Sequence, residues 1–177
     1  VVLVLSIGSL VGMANGLVTT RFNIQSFIVT LATLSIARGV ASLWAGGYAI
    51  PLAFGLEAGL APQSFKSLFA GTITIGSINI PVQIFYFLGV GLIASMALKR
   101  TAFGRHVYAV GGNETASRLS GVNVNRVKTI VFTVSGLLAG LAALLHAALV
   151  NQGSHIDGSG YELNAIAAVV IGGTSLA

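Results

Sequence analysis

The run that decides the fold is Thr129 to Val150, TIVFTVSGLLAGLAALLHAALV, 22 residues without a single Asp, Glu, Lys or Arg. The hydrocarbon core of a bilayer takes about 20 consecutive apolar residues in a helix, and a run apolar on every side has no face to offer water. It predicts a membrane-spanning helix. Reading outward, Val1 to Val18, Ile24 to Ala45 and Val82 to Leu98 meet or approach the same requirement. A fifth apolar segment, Leu163 to Ile171, is too short to span. It reads either as the start of a helix or as a re-entrant segment broken at Gly172-Gly173. The fold class is therefore all-α, a polytopic transmembrane helix bundle with four spanning helices and a short fifth segment. Val1 in place of Met, the apolar opening and the ending at Gly172-Gly173-Thr174 read as one fragment, 1–177, of a longer membrane domain.

Composition agrees. Charged residues are 7% of the chain, against a usual share of about 25%, and the mean hydropathy is +0.92. That supply of charge could not cover a water-soluble surface. Cysteine is absent, which excludes disulfides, thiolate metal sites and a cysteine nucleophile. The sequence pI of about 10.1 reflects nine Lys and Arg against four Asp and Glu. These cations are confined to particular loops without interleaved aromatics, a pattern of membrane topology rather than of nucleic-acid binding.

Six of the nine cations, Lys99, Arg100, Arg105, Arg118, Arg126 and Lys128, fall in one polar island, the loop 99–128. The positive-inside rule puts this loop in the cytoplasm. Alternation then places Arg21 inside as well, and the loops 46–81 and 151–160 outside. Three prolines, Pro51, Pro62 and Pro81, mark 46–81 as a loop with room for a short interfacial helix. Within the island, Asn113 is a good N-cap, Glu114 suits the positive end of a helix, and Gly121 suits a C-cap. A two-turn helix, Glu114 to Ser120, is expected, with Asn123 or Asn125 capping the membrane helix that follows.

Small residues recur in helical register: Gly8, Gly12 and Gly16; Ala37, Ala41 and Ala45; Gly136 and Gly140. Lipid offers no hydrophobic drive for helix association, so close backbone approach through such rows supplies the packing. Two polar residues interrupt the apolar segments. Arg38 lies roughly 20 Å into its segment at about 1.5 Å per residue. It either lines a polar pathway or snorkels to the outer interface beside Trp44 and Tyr48. Asn15 reads as an interhelical hydrogen-bonding residue or as part of a translocation path.

No catalytic or metal constellation is visible. His106, His146 and His155 lack the spacing that would converge two imidazoles. Asp157 and Glu162 read as solvated charges of one outer loop rather than an acid/base pair. Gly111-Gly112-Asn113 lacks the Gly-Lys-Ser/Thr of a Walker motif, which argues against nucleotide binding.

The run Gly104-Arg105-His106-Val107-Tyr108-Ala109-Val110-Gly111-Gly112-Asn113, followed by Ala116-Ser117-Arg118-Leu119-Ser120-Gly121-Val122, resembles the inner loop of ribose/xylose/arabinose-type ABC sugar permeases. The run Gly160 to Leu176, with Asn15-Gly16, Phe27 to Leu31 and Arg38-Gly39, extends the resemblance over nearly the whole chain. It implies a multi-pass permease subunit of the bacterial inner membrane, paired with a second permease subunit. It further implies a cytosolic ATP-binding subunit and a periplasmic sugar-binding protein as partners. ATP and Mg would belong to the ATPase partner, so this chain would bind no cofactor and would not itself be an enzyme. In that family the inner loop acts as a coupling helix that seats in the ATPase. Its usual Glu-Ala-Ala with a later Gly falls here on Thr115-Ala116-Ser117 and Gly121. Thr115 stands where the glutamate is expected, with Glu114 adjacent. The resemblance therefore assigns the ATPase-coupling loop to Asn113, Glu114, Thr115, Ala116, Ser117, Arg118, Leu119 and Gly121. Apart from the resemblance, a secondary transporter and a non-transporting scaffold remain open. The scaffold reading gives no reason for a capped inner helix, and no acid lies mid-span to couple an ion. Among importers, a branched-chain amino acid permease has a similarly organised inner loop.

Overall fold

The computed structural model describes residues 1–52, 63–75 and 78–173; the expectations for Glu57, Pro62 and the run from Thr174 onward lie outside them. Its long elements are the expected ones. Helix α1 spans Val2–Phe22, α2 Ser26–Trp44, α4 Val82–Arg100 and α7 Val124–Val150, all four long and apolar enough to cross a membrane. A shorter apolar helix, α8, covers Tyr161–Ile171. Helix α7 begins five residues before the apolar run, because Asn123 Oδ1 accepts from the backbone N–H of Arg126 at 3.1 Å and starts the helix there. Of the two asparagines expected to cap it, Asn123 does so.

The region between α2 and α4 holds more regular structure than a loop. Helix α3, Gln63–Ala70, is followed by a hairpin of β2, Thr72–Ile75, and β3, Ile78–Pro81. The two-residue strand β1, Ile50–Pro51, pairs antiparallel with β4, Gln152–Gly153. This pairing joins segments about 100 residues apart and puts the α2–α3 and α7–α8 connections at the same end of the bundle. Just below them, Phe69 of α3 packs on Leu144 and Ala148 of α7 and stacks on Tyr86 of α4, with ring centroids 5.8 Å apart. This aromatic cluster is the largest buried apolar group among the described residues.

The main helix contact is α1 against α7. A Cβ on Gly12 would collide with the carbonyl oxygen of Phe132, one on Gly136 with that of Gly8, and one on Gly16 would sit 2.8 Å from Thr129 Cα. Only hydrogen in place of Cβ allows this approach, and backbone-to-backbone dispersion then supplies the adhesion. Helix α2 touches α1 more lightly, through the Thr33 hydroxyl, which donates to Asn15 Oδ1 at 2.6 Å. Its alanine row does not pack as expected: Ala37 and Ala41 are exposed, and Gly39 has no neighbour where its Cβ would point. Small residues permit close approach, but among the described residues no second small row faces α2.

Candidate functional site

The end of the bundle opposite the β1–β4 pairing carries the polar island. Within the loop 99–128, where the sequence predicts only the short helix from Glu114 to Ser120, the structure has a further helix ahead of Asn113, α5, Ala102–Gly112. Thr101 starts it: its Oγ1 accepts from the N–H of Gly104 at 3.1 Å, while its hydroxyl donates to the carbonyl of Ala97 at 2.5 Å. A helical period was available in this run, but the Gly111-Gly112 pair masked it, since glycine is a poor helix former. The pair instead occupies the last two positions of α5.

Helix α6 covers Glu114–Leu119, one residue shorter than the span to Ser120. Asn113 Oδ1 accepts from the N–H of Ala116 at 2.9 Å. At the other end, the N–H of Val122 donates to the carbonyl of Ser117 and that of Gly121 to the carbonyl of Arg118. These two bonds form a Schellman motif, which needs a residue of positive φ at the position after the cap. Gly121 supplies it with φ +84°. A short helix that would not persist alone is thus closed at both termini.

The side chains of α6 divide by direction. Ser117 is buried, whereas Thr115, Ala116, Arg118 and Gly121 are exposed and Leu119 is 85% exposed. Among the described residues no neighbour covers this leucine, which stands open at the tip of a polar loop. Glu114 points the other way, toward α7. Its Oε2 accepts from Lys128 Nζ at 2.6 Å and its Oε1 from Arg118 Nη2 at 3.3 Å. The hydrogen bond from Lys128 is the main cause that holds its carboxyl below the ordinary value near 4.5; burial opposes it, and the charge of Lys128 and the bond and charge of Arg118 add to it.

Glu114 and Lys128 lie on the wall of a polar cavity of about 540 Å³ between α6, α7 and the α1–α2 turn. Thr19, Asn23, Gln25 and Asn125 are among its other lining residues, and the Thr19 hydroxyl is buried with no hydrogen-bond partner among the described residues. The joining of Glu114 to Lys128 across 14 residues, and the cavity, escaped the sequence. Opposite charges flanking a glycine turn were the only available sign.

The remaining candidates are dispersed. Asn15 lies mid-helix in its bond with Thr33, and Arg38, half-buried in α2, makes no hydrogen bond or ion pair among the described residues. Neither adjoins the α6 site. At the opposite end, Asp157 is less solvated than expected. Its side chain is 30% exposed and its Oδ2 lies 3.9 Å from His146 Nε2. With Ser154, Tyr161, Ala139 and Ala143 they line an apolar pocket of about 420 Å³ that no sequence pattern announced. Among the described residues no group of three or more His, Cys, Asp or Glu is placed to hold a metal ion.

The chain is similar to several known proteins over nearly all of its length. It is 42% identical to the Ribose import permease protein RbsC of Haemophilus influenzae over 98% of this chain and 51% of that one. It is 41% identical to the Autoinducer 2 import system permease protein LsrC of Klebsiella pneumoniae, over 97% of this chain and 46% of the relative. With the L-arabinose transport system permease protein AraH of Escherichia coli it shares 37% identity over 92% of this chain and 46% of the relative. The chain thus spans about half the length of the curated relatives it matches. No solved structure matches it. The family described as "Branched-chain amino acid transport system / permease component" matches residues 1–177. Four apolar helices, a capped helix at the charged end and a family match over every residue lead to one conclusion: the chain belongs to this family of permease components.

Proposed function

We propose that the whole protein is the membrane-spanning permease subunit of a binding-protein-dependent ABC importer for a monosaccharide of the ribose class, resident in the bacterial inner membrane. Helix α6 is its coupling helix. The single observation that carries this reading is the build of α6: closed at both ends, anchored inward by Ser117 and Glu114, and presenting Ala116 and Leu119 to a partner. The partner is a cytosolic ATP-binding subunit that holds ATP and Mg, so this chain has no catalytic residue of its own. A second permease subunit and a periplasmic sugar-binding protein complete the assembly. The names of the relatives, with ribose, L-arabinose and autoinducer 2 among their solutes, support a sugar or sugar-like cargo.

Charge supports the orientation. Arg21, Lys99, Arg100, Arg105, Arg118, Arg126 and Lys128 gather at the α6 end, against Lys66 near the β1–β4 end. The α6 end, with loop 99–128, then faces the cytoplasm and loop 46–81 the periplasm. A cysteine at Asn113 should react only with reagents that enter the cell, and one at Ser154 with impermeant reagents outside. Labelling of position 113 from outside sealed cells would reverse the assignment.

Coupling is tested in the full-length permease assembled with its ATPase. Ala116→Glu adds charge and bulk to the exposed face, and Gly121→Trp imposes a side chain on a positive φ, which costs roughly 1–2 kcal/mol. Both lie outside the spanning helices, so assembled permease should persist while solute-stimulated ATP hydrolysis and uptake are lost together. Unchanged transport in both variants would move the coupling role to another loop. The description of the family itself favours a second reading, a branched-chain amino acid cargo. Stimulation of hydrolysis by leucine and not by D-ribose, each with the cognate binding protein, would select it.

A further inference from the structure

We infer that Glu114 and Lys128 form a strut through which movement of α6 is delivered to α7, making both positioning residues for transport. This rests on the coupling role proposed for α6. A two-turn helix joined to α7 only through the Gly121 turn could swing about that turn when pushed, and the push would be absorbed in the loop. The chain after α6 fixes its C-terminal end to α7 through the Schellman bonds and the Asn123 cap. The 2.6 Å contact from Lys128 Nζ to Glu114 Oε2 fixes the N-terminal end to the same helix, one turn higher. Held at both ends, α6 moves with α7 as one lever.

The lever continues into the bilayer. Val124 and Val127 are buried, so the first turn of α7 is seated, and farther along α7 the Gly136 seam locks its backbone against α1. A displacement of α6 therefore reaches α1 through contacts that leave no side chain free to yield. The cavity beside the pair, lined by Thr19, Asn23 and Gln25, gives the lever space to move toward the α1–α2 turn. Arg118, on α6 itself, cannot serve as the anchor, because its bond to Glu114 stays within one helix. Lys128 is the cation that ties Glu114 to a different element.

The test uses the full-length permease with its ATPase and binding protein in proteoliposomes, D-ribose as probe, and sugar moved per ATP hydrolysed as the readout. Glu114→Gln and Lys128→Met each remove one charge and keep the bulk of the side chain. Each is expected to lower sugar per ATP by about 3- to 10-fold, inside the roughly 2- to 30-fold range for residues that transmit coupling without touching ligand. Permease yield and the amount of ATPase that co-purifies should match the parent. The double variant should be no worse than either single, because both break one link. Lys128→Arg, which keeps the cation, should retain most of the parental ratio. An unchanged ratio in the single variants, or additive losses in the double, overturns the strut while the coupling role of α6 stands on Gly121→Trp. Loss of the ATPase from both single variants overturns it too, by making the pair part of the docking contact. Normal coupling in Gly121→Trp and Ala116→Glu would instead remove the reading on which the strut rests.

Discussion

Helices α1 and α2 carry the same kind of signature, three small residues spaced by four, yet they behave differently. Gly8, Gly12 and Gly16 meet Gly136 and its neighbours at backbone contact, whereas Ala37 and Ala41 stand exposed. A small-residue row is a capacity for close packing and becomes an interface only when the facing helix carries a matching depression. Helix α7 has one at Gly136 and Gly140. On the side that α2 turns toward α1, one polar bond between Thr33 and Asn15 takes the place of a seam. Where two helices cannot interlock, a hydrogen bond out of reach of competing water fixes their register.

Substitutions can break this contrast in graded steps. Gly12→Leu should be the most damaging change in the chain, because its Cβ meets the Phe132 carbonyl and both backbones must separate. A loss of about 3 kcal/mol or more, beyond ordinary overpacking, should appear as nearly complete loss of detergent-stable permease. Gly140→Leu should cost less, roughly 1–3 kcal/mol, since its Cβ would first meet Val4 O at 3.1 Å, a milder approach than the collision at Gly12. Normal assembly of both variants would mean that α1 and α7 do not meet along this seam.

The α1–α2 side predicts a smaller effect. Asn15→Ala and Thr33→Val should each destabilise by about 0.6–1.7 kcal/mol, and the double variant should be no worse than the stronger single. Thermal unfolding of the purified permease in detergent measures this, and additive losses would show that the two side chains act separately. The seam is apolar and indifferent to pH, whereas the contact of α6 with α7 is not. Glu114 has a lowered pKa in the folded protein, so its contribution is fully present above the ordinary carboxyl value near 4.5 and is lost as pH falls through the lower folded value. Amide exchange in α6 should therefore be unchanged from pH 8 to 5 and accelerate only on stronger acidification, after correction for intrinsic rates. In Glu114→Gln the acid-induced step should disappear. Ala41→Leu should have the smallest effect, within about 0.5 kcal/mol, because Ala41 is exposed. A large loss of assembled permease in that variant would show that a second surface covers α2.

Much of the architecture was legible because the bilayer imposes a harsh filter. Only a helix satisfies its own backbone in hydrocarbon, so the apolar runs, with a charged loop between two of them, predict spanning segments with little ambiguity. The cap at Asn113 and the turn at Gly121 were equally legible, because their geometry is local and belongs to the residue type, whereas the cap of α7 was narrowed only to Asn123 or Asn125. Helix α5 was less so, since its closing glycines resemble a break, and the α3 and hairpin region offered short, mixed patterns.

The sequence by itself determined the four spanning helices, the capped helix after Asn113, the concentration of positive charge at one end and the family. Each depends on residues within a few positions of one another, or on composition that the membrane reads directly. Tertiary structure decided which small-residue row becomes a seam, that Phe69 closes over Leu144 and Ala148, that Ile50 pairs with Gly153, and that Glu114 reaches Lys128. These contacts join parts of the chain that no period or spacing relates. They arise only when the helices stand side by side, and dispersion and hydrogen bonding fall off within a few ångströms, so their partners are fixed by packing rather than by pattern.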